Sequence, residues 1–355
     1  MIQRQMSRRS FFRWSALTTT VFLAACRNAG RSTPAASVAA RPTDTPTNVP
    51  EPTETPADVR LPTTTPTNVP VPTATPTNMP MPTATTVSEV PRQATEREVI
   101  YLWEEGNVPT TTVYTEDPNS QYFDPPDFRP NMVYYPARPG VPVKGAVLIC
   151  AGGAFAFRGN EREGTPVAQA LNDLGYQSFV VNYRLRPFAM QEGALDLARA
   201  VRYVRAHAGD YGIADQGISV IGFSAGGILC GELLLNFDGS VNGTAIDPDY
   251  VPDELDRVSA DASAVGMIYS FYGRLSVAST DVDKFKSSDL PPAFFVYGTR
   301  DPFVGEFEKC IKALRQAGVP VEDHVLQDWP HGFGAGDGQW IQDFDRWVTD
   351  VYENS

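Results

Sequence analysis

The sequence predicts an α/β fold: a mostly parallel sheet with helices on both faces, carried by residues 96–355. Three observations predict it. Short apolar runs rich in β-branched and aromatic residues recur along this region, amphipathic helical patterns lie between them, and glycine or proline marks most junctions. Strands alternating with helices pair in parallel, because each crossover helix returns the chain to the same end of the sheet. In such sheets, chemistry collects beyond the carboxyl ends of the strands.

The expected strands are Met132 to Tyr135, Ala146 to Cys150, Ser178 to Val181, Ile218 to Ile221, Val265 to Tyr269, Ala293 to Tyr297 and Val321 to Leu326. Leu197, Val201 and Val204 share one face of a helix. Phe303, Phe307, Ile311 and Leu314 share another, which Gly318 should stop. Trp340, Phe344, Trp347 and Val351 line a last helix.

What precedes this region is different in kind. Residues 1–25 read as an export signal: Ser7-Arg8-Arg9-Ser10-Phe11-Phe12 has a twin-arginine character, and an apolar run follows from Ala16 to Ala25. That run is too short to span a bilayer as a helix. It ends in Leu23-Ala24-Ala25-Cys26, which resembles a lipoprotein processing box, so Cys26 is the expected lipidation site and the expected membrane contact. Residues 26–95 read as a disordered linker. Thr-Pro dominates, with a rough repeat visible at Thr65-Pro66-Thr67-Asn68 and again at Thr75-Pro76-Thr77-Asn78. Proline excludes helix and sheet ladders there, and little apolar surface exists to bury. A polyproline II stalk over the Thr-Pro stretch from about Thr33 to Val90 would reach up to ~180 Å.

Formal net charge is −13, and removing a leader that carries four arginines and no acid takes it to −17. That balance argues against nucleic-acid partners and against adhesion of the domain itself to anionic lipid. Cys26, Cys150, Cys230 and Cys310 form no metal-ligand spacing, and no metal or organic cofactor is expected. Cys150 and Cys230 sit in apolar runs and read as buried free thiols.

The strand Ile218 to Ile221 runs into Gly222-Phe223-Ser224-Ala225-Gly226-Gly227, with a helical pattern from Ile228 to Leu235. This is a G-x-S-x-G elbow in the strand–turn–helix setting it requires. Glycines two before and two after Ser224 let neighbouring backbone pass close. The turn also sets the Ala225 N–H at a helix N-terminus, where an oxyanion would be stabilised. A serine hydroxyl needs a base. Of three histidines, His207 ends a helix and His324 lies inside a strand, whereas His331 follows a strand in Trp329-Pro330-His331-Gly332. Asp301 follows the strand Ala293 to Tyr297. It could equally cap the helix beginning near Phe303, and Asp323 and Asp328 lie closer to His331 in sequence. The chain order serine, aspartate, histidine is that of the α/β hydrolases and favours Asp301. After the strand ending at Cys150, Ala151-Gly152-Gly153-Ala154-Phe155 stands where a second oxyanion donor belongs, which nominates Gly152 and Gly153 beside Ala225.

Ile149 to Phe155, Arg162-Glu163-Gly164, Leu174-Gly175-Tyr176 leading to Val181-Asn182-Tyr183-Arg184, the elbow and Pro330-His331-Gly332 together resemble bacterial carbohydrate esterases. These include acetyl xylan and feruloyl esterases, relatives of hormone-sensitive-lipase-type enzymes. The likeness covers nearly all of residues 130–350. It implies an α/β-hydrolase fold, a Ser224–Asp301–His331 triad and an oxyanion loop at Gly152 and Gly153. Two features depart from the pattern: Ala151 and Ala154 stand where a proline or histidine and a third glycine are usual, and the stretch from Phe271 to Pro291 is short. The expected activity is hydrolysis of short-acyl, foremost acetyl, esters on small molecules or polysaccharide. Three other readings compete. A prolyl-oligopeptidase-type peptidase shares fold and triad, but residues 1–95 hold no propeller. A lipase-like esterase would favour long acyl chains. An inactive surface-displayed binding domain would turn over no ester.

Overall fold

The computed structural model describes residues 97–114, 124–214 and 216–354. The leader, Cys26 and the Thr-Pro linker lie outside the described residues.

Eight strands form one sheet: β1 (Glu98–Tyr101), β2 (Asn131–Tyr135), β3 (Gly145–Cys150), β4 (Tyr176–Asn182), β5 (Ile218–Phe223), β6 (Ala264–Ile268), β7 (Ala293–Gly298) and β8 (Val321–Leu326). Their order across the sheet is β1-β2-β4-β3-β5-β6-β7-β8. β2 pairs antiparallel with β1 and with β4, and every later pairing is parallel. The main helices are α1 (Thr165–Asp173), α2 (Met190–Ala206), α3 (Ala225–Glu232), α4 (Val304–Ala317) and α5 (Gln339–Glu353).

Each strand expected from the sequence is present, with ends shifted by at most a few residues. β3, β5, β6 and β7 are buried along their whole length. That is why they read as continuous apolar runs rather than alternating ones. β1 was not expected. It lies at one edge and buries only Ile100 of its four residues, so its sequence carries no period to find. Gly318 adopts φ 90 and closes α4, as anticipated. Along α5, Trp340, Phe344 and Val348 are buried and Trp347 packs beside them. The helix after the elbow begins three residues earlier than its apolar pattern, at Ala225, and widens into a π-turn at Leu233–Phe237.

The topology matters because the carboxyl ends of β3, β5, β7 and β8 all face the same edge of the sheet. Each of these strands is followed by one of the candidate segments. Cys150 and Cys230 are free and buried, as their apolar runs implied, and so is Cys310.

Candidate active site

Ser224 occupies the turn between β5 and α3 with φ 50 and ψ −118. An L-residue in that region is strained, and tight packing must hold it there. The packing is backbone against backbone. A Cβ on Gly222 would stand 2.4 Å from atoms of Gly226, and one on Gly226 would stand 2.1 Å from the Cys150 carbonyl oxygen. Ser224 N–H donates to the Ile268 carbonyl at 3.0 Å, and the Ser270 hydroxyl donates to the Ser224 carbonyl at 2.6 Å. The elbow is therefore tied to β6 as well as to its own strand.

His331 lies in the loop between β8 and α5, and its side chain is almost wholly buried. Nε2 is 3.0 Å from Ser224 Oγ, and Nδ1 is 2.6 Å from Asp301 Oδ2. A carboxylate oxygen only accepts, so Nδ1 carries the proton and Nε2 presents its lone pair to the serine hydroxyl. The ring is held between Tyr269, 4.9 Å away, and Phe303, 5.7 Å away, both edge-on. Asp301 does two jobs. Oδ2 takes the imidazole, while Oδ1 accepts the Phe303 N–H at 2.9 Å at the start of α4. Asp301 thus braces the turn before α4, whose N-cap is Phe303, while it holds His331.

The competing residues are engaged elsewhere. Asp323 pairs with Arg315 on the sheet edge. Asp328 sits at φ 62 with its N–H donating to Thr299 Oγ1 at 2.9 Å. His324 bonds Glu322 at 2.7 Å, and His207 caps α2 with Nδ1 2.8 Å from the Tyr203 carbonyl.

The oxyanion assignment needs one correction. Gly152 was nominated as a donor, but its N–H is already given to Glu163 Oε2 at 2.6 Å. A backbone N–H committed to a buried carboxylate is not available to a substrate oxygen. That leaves as candidate donors Gly153, at φ 136 in the turn after β3, and Ala225, the first residue of α3.

Glu163 and Tyr269 were missed as site residues. Glu163 belonged to the segment that carried the family likeness, but nothing in Asn160-Glu161-Arg162-Glu163-Gly164 distinguishes it from a solvated turn. Here it is buried, and desolvation raises its carboxyl above the ordinary range. Hydrogen bonds from Tyr269 and Gly152 and the neighbouring His331 and Arg162 act in the opposite direction.

The fold and the site together define an α/β hydrolase with serine at the nucleophile position. The BD-FAE family model matches residues 132–287, a span that contains Ser224 but ends before Asp301 and His331. The acetylxylan esterase of Xylanibacter ruminicola is 27% identical over 219 residues, covering 58% of this chain and 45% of that protein. Endo-1,4-beta-xylanase B of Butyrivibrio fibrisolvens is 30% identical over 251 residues, covering 63% of this chain and 37% of that protein. The chain thus spans less than half the length of these curated relatives. Among solved structures, the acetyl ester-xyloside bifunctional hydrolase from Caldicellulosiruptor lactoaceticus matches with a TM-score of 0.54 at 25% identity, over 75% of this chain and 98% of that chain.

Proposed function

We propose that this chain is a carboxylic ester hydrolase that works through an acyl-enzyme, prefers acetyl and other short acyl groups, and acts on esters of carbohydrate outside the cell. The observation that carries the reading is the continuous relay Ser224–His331–Asp301, with hydrogen bonds of 3.0 and 2.6 Å. In the first half-reaction His331 takes the Ser224 proton as Oγ attacks the ester carbonyl. The oxyanion rests on the N–H groups of Gly153 and Ala225. The imidazolium, steadied by Asp301, then protonates the leaving alcohol, and water repeats the sequence on the acyl-serine.

Two things support the substrate class. The relatives above carry acetylxylan esterase and acetyl ester-xyloside hydrolase in their names. In addition, the insert after β6 is only a two-residue hairpin pair and the short helix Val282–Ser287, of which Phe285 alone is buried. Such a segment offers no broad apolar lid. Each methylene moved out of water is worth ~0.8 kcal/mol only where an apolar groove receives it. We expect kcat/KM to fall from acetyl through butyryl and octanoyl to palmitoyl esters, and acetylated xylan to release acetate. A rise toward octanoyl would move the reading to a lipase-like enzyme. Ser224→Ala and Asp301→Asn should each lower kcat by ~10⁴ in a folded protein. Asp323→Asn and Asp328→Asn should stay within a few-fold; the reverse ranking would reassign the acid.

The location rests on the leader and on Leu23-Ala24-Ala25-Cys26. The mature protein should fractionate with membranes, and Cys26→Ser should release it or block processing. An unmodified mature terminus elsewhere would defeat the anchor.

A further inference from the structure

Glu163 is a buried carboxylate that the mechanism above does not use. It lies in a single π-helical turn, Asn160–Gly164, that directly follows the loop carrying Gly153. Turns of this kind are uncommon and gather at functional sites. Oε2 accepts the Gly152 N–H at 2.6 Å, and Oε1 accepts the hydroxyl proton of Tyr269 at 2.6 Å. The same tyrosine oxygen accepts the N–H of Gly334 at 3.1 Å, three residues beyond His331 in its loop. The tyrosine ring meets His331 edge-on at 4.9 Å and Phe333 at 4.6 Å. Backbone bonds run alongside: Gly159 N–H donates to the Gly152 carbonyl at 2.9 Å, and Ala335 N–H donates to the Arg162 carbonyl at 3.2 Å. One turn therefore fastens the oxyanion loop on one side and the histidine loop on the other.

Chemistry narrows the role. Both carboxylate oxygens accept hydrogen bonds, which is the pattern of the anion. A side chain needed only to fill this space would be apolar, because a buried anion is costly even when paired. Tyr269 adds a second sign of constraint: it sits at φ 40 immediately after β6, a conformation rare for a bulky residue.

We infer that Glu163, acting with Tyr269, is a positioning residue for ester hydrolysis: it fixes Gly152 so that the adjacent Gly153 N–H is aimed at the developing oxyanion, and through Tyr269 it locks the loop that carries His331. The inference rests on the triad reading, since it assigns a role within that reaction. It predicts an effect on the transition state rather than on substrate binding, because the oxyanion exists only there.

The experiment compares Glu163→Gln, Tyr269→Phe and the double variant with wild type and Ser224→Ala, all as the full chain, using a soluble acetyl ester and a boronic acid that mimics the tetrahedral adduct. Glu163→Gln keeps the volume but puts an NH₂ where one acceptor stood. It should lower kcat by ~10- to 100-fold with KM within about twofold, and weaken the boronic acid by a matching factor. Tyr269→Phe should lower kcat less. The double variant should be within about threefold of Glu163→Gln, because the two residues act as one unit. An unchanged kcat, a loss confined to KM, or full additivity would overturn the positioning role. Activity surviving in Ser224→Ala would overturn the underlying reading instead. Were Glu163→Gln not to fold, Tyr269→Phe, which removes a single oxygen, carries the same test.

Discussion

The two N–H groups proposed to receive the oxyanion are held by opposite means. Ala225 is held locally. Its direction follows from β5, a serine at φ 50 and the first turn of α3, all within a few residues, with glycines that let backbone meet backbone. Gly153 is held from a distance. Its loop is pinned through Gly152 to Glu163, which leans on Tyr269 beyond β6, which in turn bonds Gly334 beyond His331. The first half of the site is written in one pentapeptide. The second half exists only once the chain has folded.

That contrast can be broken with two glycines. A Cβ at Gly226, in the first turn of α3, would lie 2.1 Å from the Cys150 carbonyl oxygen at the end of the central strand β3. A Cβ at Gly153 would lie 2.0 Å from the Phe157 carbonyl, in the loop after β3 and outside the central strands. Gly226→Ala should therefore destabilise the whole domain by ~3 kcal/mol or more, or abolish folding. Gly153→Ala should leave Tm lower by only a few degrees while reducing kcat by ~10- to 100-fold, as expected when one oxyanion donor is misdirected. Thermal unfolding and steady-state kinetics on both proteins decide the matter. Equal losses of stability would mean that the two sides are built alike.

The same division explains what the sequence made legible. Strands buried on both faces announce themselves as apolar runs, and β3, β5, β6 and β7 were all found. Ser224 was legible as the candidate nucleophile because its strain demands glycines at fixed offsets. Asp301 was chosen over Asp323 and Asp328 by chain order, and the structure places Asp301 on His331 while the other two are engaged at the sheet edge and in a turn. Gly152 was misjudged because a glycine pair says that backbone comes close, not which N–H is left for a ligand. That depends on an acceptor eleven residues away. Glu163 stood in the segment that carried the likeness but gave no sign of burial, which comes from Gly152, Tyr269 and the histidine loop meeting around it in the folded chain. β1 was silent for the reason given above, with one buried residue in four.

The smallest effect sharpens the comparison furthest, because it separates function from stability at the distant side of the site. Burial raises the Glu163 carboxyl above its ordinary range. The unfolded chain would lose that proton first, near pH ~4.3. Between that value and the raised one, the folded protein binds more protons than the unfolded, so this group makes stability fall as pH rises. The loss is complete once the folded carboxyl has ionised. Below both values the residue is neutral in each state and contributes nothing. Glutamine is neutral throughout. The difference in Tm, Glu163→Gln minus wild type, should therefore increase from pH 4 upward and then level off. A lost hydrogen bond shifts the curve by a constant and leaves its slope intact. The other ionisable groups around the carboxyl are Tyr269, His331 and Arg162. All three act against burial, which reduces the size of the rise without reversing it. A difference that is flat or falls with pH would mean that the carboxylate is well satisfied in its site, and that the histidine side and the oxyanion side are joined without cost to the fold. A rising one would show that the anion is kept against the interest of stability.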